Sequence, residues 1–137
     1  MPYEFIRLSP ELYLIRWYRS PSVAEATQFV DEHLQLLDNA LHPLYFISDL
    51  RQGYITDTIV IRRLAKLTQH ANYGGGTAFG TSNNLASSFV GIFFRFARGV
   101  KYEHNIWHTA KEALDYLESL KTGLTANINW DDTLNYV

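Results

Sequence analysis

The sequence predicts an α/β domain built on a mainly parallel five-stranded sheet, with one antiparallel edge strand and helices on both faces. Three observations carry this expectation. Short β-prone runs alternate along the chain with segments whose apolar residues recur every three or four positions, the signature of strands joined by crossover helices. One run, Leu44 to Leu50, is apolar at Leu44, Tyr45, Phe46, Ile47 and Leu50 and bounded by Pro43, Asp49, Gln52 and Gly53, which suits a strand buried on both faces. The 137 residues, 47% of them hydrophobic and 15% aromatic, match one domain able to bury its own core.

Taken in order, Tyr3 to Leu8 and Leu12 to Tyr18 are two β-prone runs joined by Ser9, Pro10 and Glu11, so a hairpin is expected, with Arg7 and Pro10 marking an edge. Ser22 with Glu25 forms a capping box that opens a long helix, in which Val23, Ala26, Val30, Leu34, Leu37 and Leu41 share a stripe up to the stop at His42 and Pro43. After the central strand, Asp57 opens a second helix with Val60, Ile61, Leu64, Leu67 and Ala71 on one face. Asn72, Tyr73 and the glycines Gly74, Gly75 and Gly76 are expected to end it and lead into a short strand, Thr77 to Thr81. Ser82 or Asn83 can cap a third helix, Leu85 to Arg98, stopped by Gly99. Glu103 to Trp107 is the expected last strand. Thr109 with Glu112 is a second capping box, and Ala110, Ala113, Leu114, Leu117 and Leu120 form the stripe of the closing helix. Residues 1–121 therefore read as the domain. Residues 122–137 read as a polar tail whose Trp130, Leu134, Tyr136 and Val137 either lie over the domain or await a partner.

Composition narrows the function classes. Twelve basic against fourteen acidic residues, a net charge of -2, recruit neither nucleic acid nor an anionic membrane surface. The absence of cysteine removes disulfides, thiol nucleophiles and cysteine zinc sites. Met1 to Leu8 lacks the apolar core of a secretory signal, and no stretch reaches the roughly 18 consecutive apolar residues of a membrane span, so a cytoplasmic location is expected.

The element order, an apolar strand ending in Ser48-Asp49-Leu50, and the closing segment Trp107-His108-Thr109-Ala110-Lys111-Glu112-Ala113-Leu114-Asp115-Tyr116-Leu117 together resemble the STAS-like domains, SpoIIAA-like relatives of the anti-sigma-factor antagonists. The resemblance spans Leu12 to Leu120. It implies a SpoIIAA-like fold and a non-enzymatic regulatory module that works by protein–protein interaction. In the antagonists a loop beside the second helix carries Asp-Ser-Ser-Gly, whose serine is phosphorylated; the matching place here is Asp57-Thr58-Ile59-Val60. The resemblance thus implies Thr58 as a phosphate acceptor, although the second hydroxyl and the glycine are absent. Lipid-binding domains of similar topology leave a small apolar ligand between sheet and helices as the alternative, with hydrolysis a distant third.

Parallel sheets present ligands and partners at the carboxyl ends of their strands, which makes Asp49, Arg51, Tyr54, Asp57 and Thr58 the candidate surface. Asp49 either serves that surface or pins the turn through backbone hydrogen bonds. Gly74-Gly75-Gly76 and Gly80-Thr81-Ser82-Asn83 match neither a dinucleotide nor a phosphate-loop motif and are expected to serve turns and caps. The histidines His33, His42, His70, His104 and His108 show no metal motif, and His104 and His108 would stand about 13 Å apart on a strand. Ser48, Ser82, Ser87 and Ser88 lie in no nucleophile motif, Asp131 and Asp132 fall in the tail, and no cofactor is implied. Arg62, Arg63, Lys66 and His70 form a basic patch, either a solvated face or a docking face for an acidic partner. In the third helix Leu85, Phe89, Phe93 and Phe96 make one stripe while Val90, Ile92 and Phe94 extend the apolar surface, which predicts a homodimer interface or cover by Trp130 and Tyr136.

Overall fold

The computed structural model describes residues 1–80, 93 and 107–135. Four strands, β1 (Tyr3–Arg7), β2 (Leu12–Trp17), β3 (Leu44–Asp49) and β4 (Tyr73–Phe79), lie side by side in chain order. β1 pairs antiparallel with β2 as the edge hairpin, and β2, β3 and β4 run parallel. Among the described residues the sheet thus has four strands, not five. Of the expected fifth, Trp107 makes a single parallel bridge to Phe79, with its amide donating to the Ala78 carbonyl and its carbonyl accepting from Gly80, each at 3.0 Å. One bridge closes no ladder, and Glu103 to Ile106 lie outside the described residues.

Helix α1 (Val23–Asn39) starts with the expected capping box: Ser22 Oγ accepts from the Glu25 amide and Glu25 accepts from the Ser22 amide. Arg19 grips the Glu25 carboxylate at 2.7 and 2.9 Å, and this pairing, with the Ser22 amide, holds the Glu25 pKa well below the usual carboxylate range. The buried stripe is rotated from the expected one. It consists of Ala26, Phe29, Val30, His33 and Leu37, whereas Leu34 lies on its flank, Val23 stands exposed at the first helical position, and Leu41, 98% exposed, falls past the helix end. The two bulky rings, Phe29 and His33, set the contact side. Helix α2 (Thr58–Lys66) is capped by Asp57, whose carboxylate accepts from the Val60 amide at 2.9 Å, and tightens into a 3-10 turn over Leu67–Gln69.

The three glycines expected to terminate α2 lie inside β4 instead. A Cβ at Gly74 would stand 2.7 Å from the Tyr45 ring, one at Gly75 2.7 Å from Leu120, and one at Gly76 2.5 Å from the Tyr73 hydroxyl. Their bare backbone is the surface on which those side chains rest. Such close approach is a recognised use of glycine in a strand.

Helix α3 (Ala110–Leu120) opens with the second capping box, Thr109 with Glu112. The chain then turns through Gly123, at φ +86, and a short helix α4 (Trp130–Leu134) follows. Glu118 accepts from the amides of Gly123 and Thr125, which depresses its pKa and pins this turn. The tail packs on the domain: Leu124 is buried, and Trp130 donates its indole N–H to the Thr125 carbonyl. Strand alternation divides the core into two layers. Ile15, Trp17, Leu44 and Phe46 pack with α1 and α2 on one face, while Leu12, Leu14, Ile47 and Phe79 pack with α3 and Leu124 on the other. The predicted helix Leu85 to Arg98, with its proposed dimer residues Val90, Ile92 and Phe94, lies outside the described residues except for Phe93, which packs on the α1–α2 layer.

Ile47 is fully buried on the central strand between α3 and the sheet. Ile47→Asp places a charge there without a partner and is expected to cost several kcal/mol, read as a lowered denaturation midpoint in chemical unfolding. An unchanged midpoint would contradict the position assigned to β3.

Candidate functional site

Because β2, β3 and β4 are parallel, their carboxyl ends lie together, and the loops leaving β2 and β3 meet there. Gly53 rests on the backbone of Arg19 and Ser20 so closely that an added Cβ would come within 2.2 Å of the Arg19 carbonyl carbon. The Tyr54 amide donates to Ser20 Oγ at 3.2 Å, which ties the two loops into one surface.

Asp49 ends β3 with 1% of its surface exposed. Arg51 folds back over it: Nε lies 3.0 Å from both carboxylate oxygens, Nη2 2.7 Å from Oδ2, and the Arg51 amide donates to Oδ1 at 3.0 Å. The forked pairing compensates a carboxylate withdrawn from water, since planar guanidinium matches carboxylate geometry. The tail completes the arrangement. Arg51 Nη2 also donates to the Leu134 carbonyl at 2.8 Å, and Arg16, the register neighbour of Asp49 on β2, donates to the Thr133 carbonyl at 2.6 Å. Asp49 pins the turn and Arg51 joins that turn to α4.

The five candidate residues therefore do not converge on one pocket. Asp49 and Arg51 form a clasp toward the α3–α4 side, Tyr54 turns into the α1–α2 layer, and Asp57 caps α2. Thr58 is exposed in the first turn of α2, beside Ile59, which is 67% exposed. Ile59 had no periodic signal to mark it, because it is the apolar residue that falls off the buried stripe. Of the basic patch, Arg63 of α2 pairs with Asp31 of α1 at 3.2 Å and His70, just past the 3-10 turn, lies 2.8 Å from Asp38 of α1, while Arg62 and Lys66 are exposed. These two contacts link the α2 segment to α1. Among the described residues no three histidines, aspartates or glutamates are grouped as metal ligands would be, and no helix is long and apolar enough to cross a membrane.

A cavity of about 130 Å³ opens between the sheet and the α1–α2 layer, lined chiefly by aromatic and aliphatic side chains. His33 of α1 forms part of its wall with 4% of its surface exposed, and among the described residues neither ring nitrogen, each closed to solvent, has a hydrogen-bond partner. The imidazole sits among the rings of Phe5, Phe29 and Phe46, at centroid distances of 5.6, 5.6 and 4.2 Å. Burial among them pushes its pKa down to about 3, so the ring is neutral. A metal-motif search passes over His33, and its place on the α1 stripe was the signal available.

No protein-family model matches the sequence, and comparison with curated proteins returns no significant match. The fold is similar to that of a solved structure described as the anti-sigma factor antagonist SpoIIAA in its unphosphorylated form. The superposition covers 85% of this chain and 96% of that one, with a TM-score of 0.58 and 12% sequence identity. The chain has a SpoIIAA-like α/β fold.

The neutral His33 ties stability to pH. The unfolded chain takes up a proton at this histidine below about pH 6.5, and the folded one only near about pH 3. The resulting stability is complete above pH 6.5 and declines as the pH falls toward 3, with a slope approaching about 1.4 kcal/mol per pH unit. Unfolding of the parent and of His33→Leu across this range should show the parent losing stability relative to the variant. Parallel curves would refute the assignment.

Proposed function

We propose that the protein is a non-enzymatic, cytoplasmic regulatory module acting by protein–protein interaction, through the carboxyl end of its sheet around Tyr54, Asp57 and Thr58. The exposed pair Thr58 and Ile59 in the first turn of α2 carries this reading, on a fold similar to that of an anti-sigma factor antagonist. An exposed apolar side chain beside a hydroxyl at a helix start suits a partner surface, while the Asp49–Arg51 clasp holds the loop behind it. The interlocked loops supply a rigid platform, which lowers the ordering cost of association.

Thr58 is also the proposed phosphate acceptor. The first turn of α2 contains no acidic side chain, and its backbone amides favour an added anion, although the capping Asp57 carboxylate opposes it. Phosphate there would place negative charge beside Ile59 and alter the surface offered to a partner.

A photo-crosslinking residue at position 59 should trap a protein partner in cells, whereas the same residue at Lys111 on α3 should not. Thr58→Glu should change affinity for the trapped partner about tenfold, equivalent to roughly 1.4 kcal/mol, without moving the melting temperature. Equal trapping from both positions would refute the surface; equal affinity of parent and Thr58→Glu, with no phosphate on the natively expressed protein, would refute the switch.

A further inference from the structure

We propose that the outward stripe of α2 formed by Ile59, Arg62 and Lys66 binds an acidic segment of a protein partner, a stretch that sets one apolar side chain on Ile59 and carboxylates on the two basic residues. This names the partner's chemistry for the surface of Thr58 and Ile59, and rests on that reading. Helical spacing puts the three residues along one face: Arg62 and Lys66 follow Ile59 by three and seven positions, at rises of about 5 and 10 Å. All three are exposed, Ile59 to 67%.

The charge pattern is the first argument. A solvated helix face ordinarily intersperses both signs, and opposite charges four positions apart support each other. Over Thr58–Lys66, α2 carries Arg62, Arg63 and Lys66 and no acidic residue, in a chain whose net charge is -2. Arg62 and Lys66 are themselves four apart, a spacing at which like charges destabilise a helix. Asp31 of α1 meets Arg63 on the flank of the stripe, in a pair exposed on both sides. The apolar residue is the second argument. α2 buries Val60, Ile61 and Ala65, while Ile59 turns away from that face and heads the basic stripe at the carboxyl end of the sheet. An apolar anchor edged by cations matches a segment that brings both an apolar side chain and carboxylates. A small anion would answer the charge and leave Ile59 in water.

The probe is a synthetic peptide helix with one leucine stripe edged by glutamates, titrated into the full chain and followed by backbone amide resonances. It should bind saturably, shift the amides of residues 58–66 and weaken severalfold as salt is raised, whereas the same peptide with lysine for glutamate should not bind. Lys66→Glu and Ile59→Ser should each weaken binding about tenfold or more, and Lys111→Glu on α3 should leave it unchanged, with melting temperatures confirming that each variant folds. The titration of the parent needs no variant. Absence of saturable binding, shifts centred outside α2, or the same affinity for Lys66→Glu as for Lys111→Glu would overturn the proposal. So would a parent that self-associates through the stripe, or that binds phosphatidylserine vesicles in preference to the peptide. If the partner trapped at position 59 is weakened by Ile59→Ser and untouched by Lys66→Glu, the acidic partner is refuted and the surface stands.

Discussion

A strand buried on both faces must be covered from two sides, and β3 imposes that demand on the rest of this chain. Leu44 and Phe46 face α1 and α2 while Ile47 faces α3, so neither helical layer alone removes the strand from water. Parallel pairing with β2 and β4 follows from the same arrangement, since the connecting segments have to cross back over the sheet. It brings the starts of α1 and α2 to the carboxyl end of the sheet. The candidate surface is a consequence of that geometry.

At that end, a buried carboxylate would destabilise the strand if left alone. Arg51 returns from two residues ahead to bind Asp49 through both oxygens, and the carbonyls of Thr133 and Leu134 take up further hydrogens from Arg16 and Arg51. The polar groups at the tip of β3 therefore hold the loop and the tail together. Thr58 and Ile59, the exposed residues proposed to meet a partner, stand on the outer shoulder of the same loop, where α2 begins. The clasp contributes rigidity and α2 contributes the exposed chemistry.

The other face has a different character. Packing of Phe5, Phe29, Phe46 and His33 excludes water from the ring nitrogens without providing an alternative partner among those groups. Such a group is a standing cost to stability, offset by the packing of the rings around it.

The sequence by itself determined the features whose causes are local. Ser22 with Glu25, Thr109 with Glu112, and Asp57 before Val60 each form their caps within three residues, and the unbroken apolar run at Leu44 marks β3 without knowledge of any neighbour. Only the tertiary structure decided what depends on distant groups. Gly74, Gly75 and Gly76 look like a helix terminator until Tyr45 and Leu120 are placed against them, and Arg63 and His70 look like part of a solvated face until Asp31 and Asp38 arrive from α1. Arg51 reaches a carbonyl 83 positions away, and His33 acquires its meaning from rings on three different elements. Periodicity and capping are short-range, whereas burial, charge pairing and the shape of a cavity arise only when segments remote in the chain share one space.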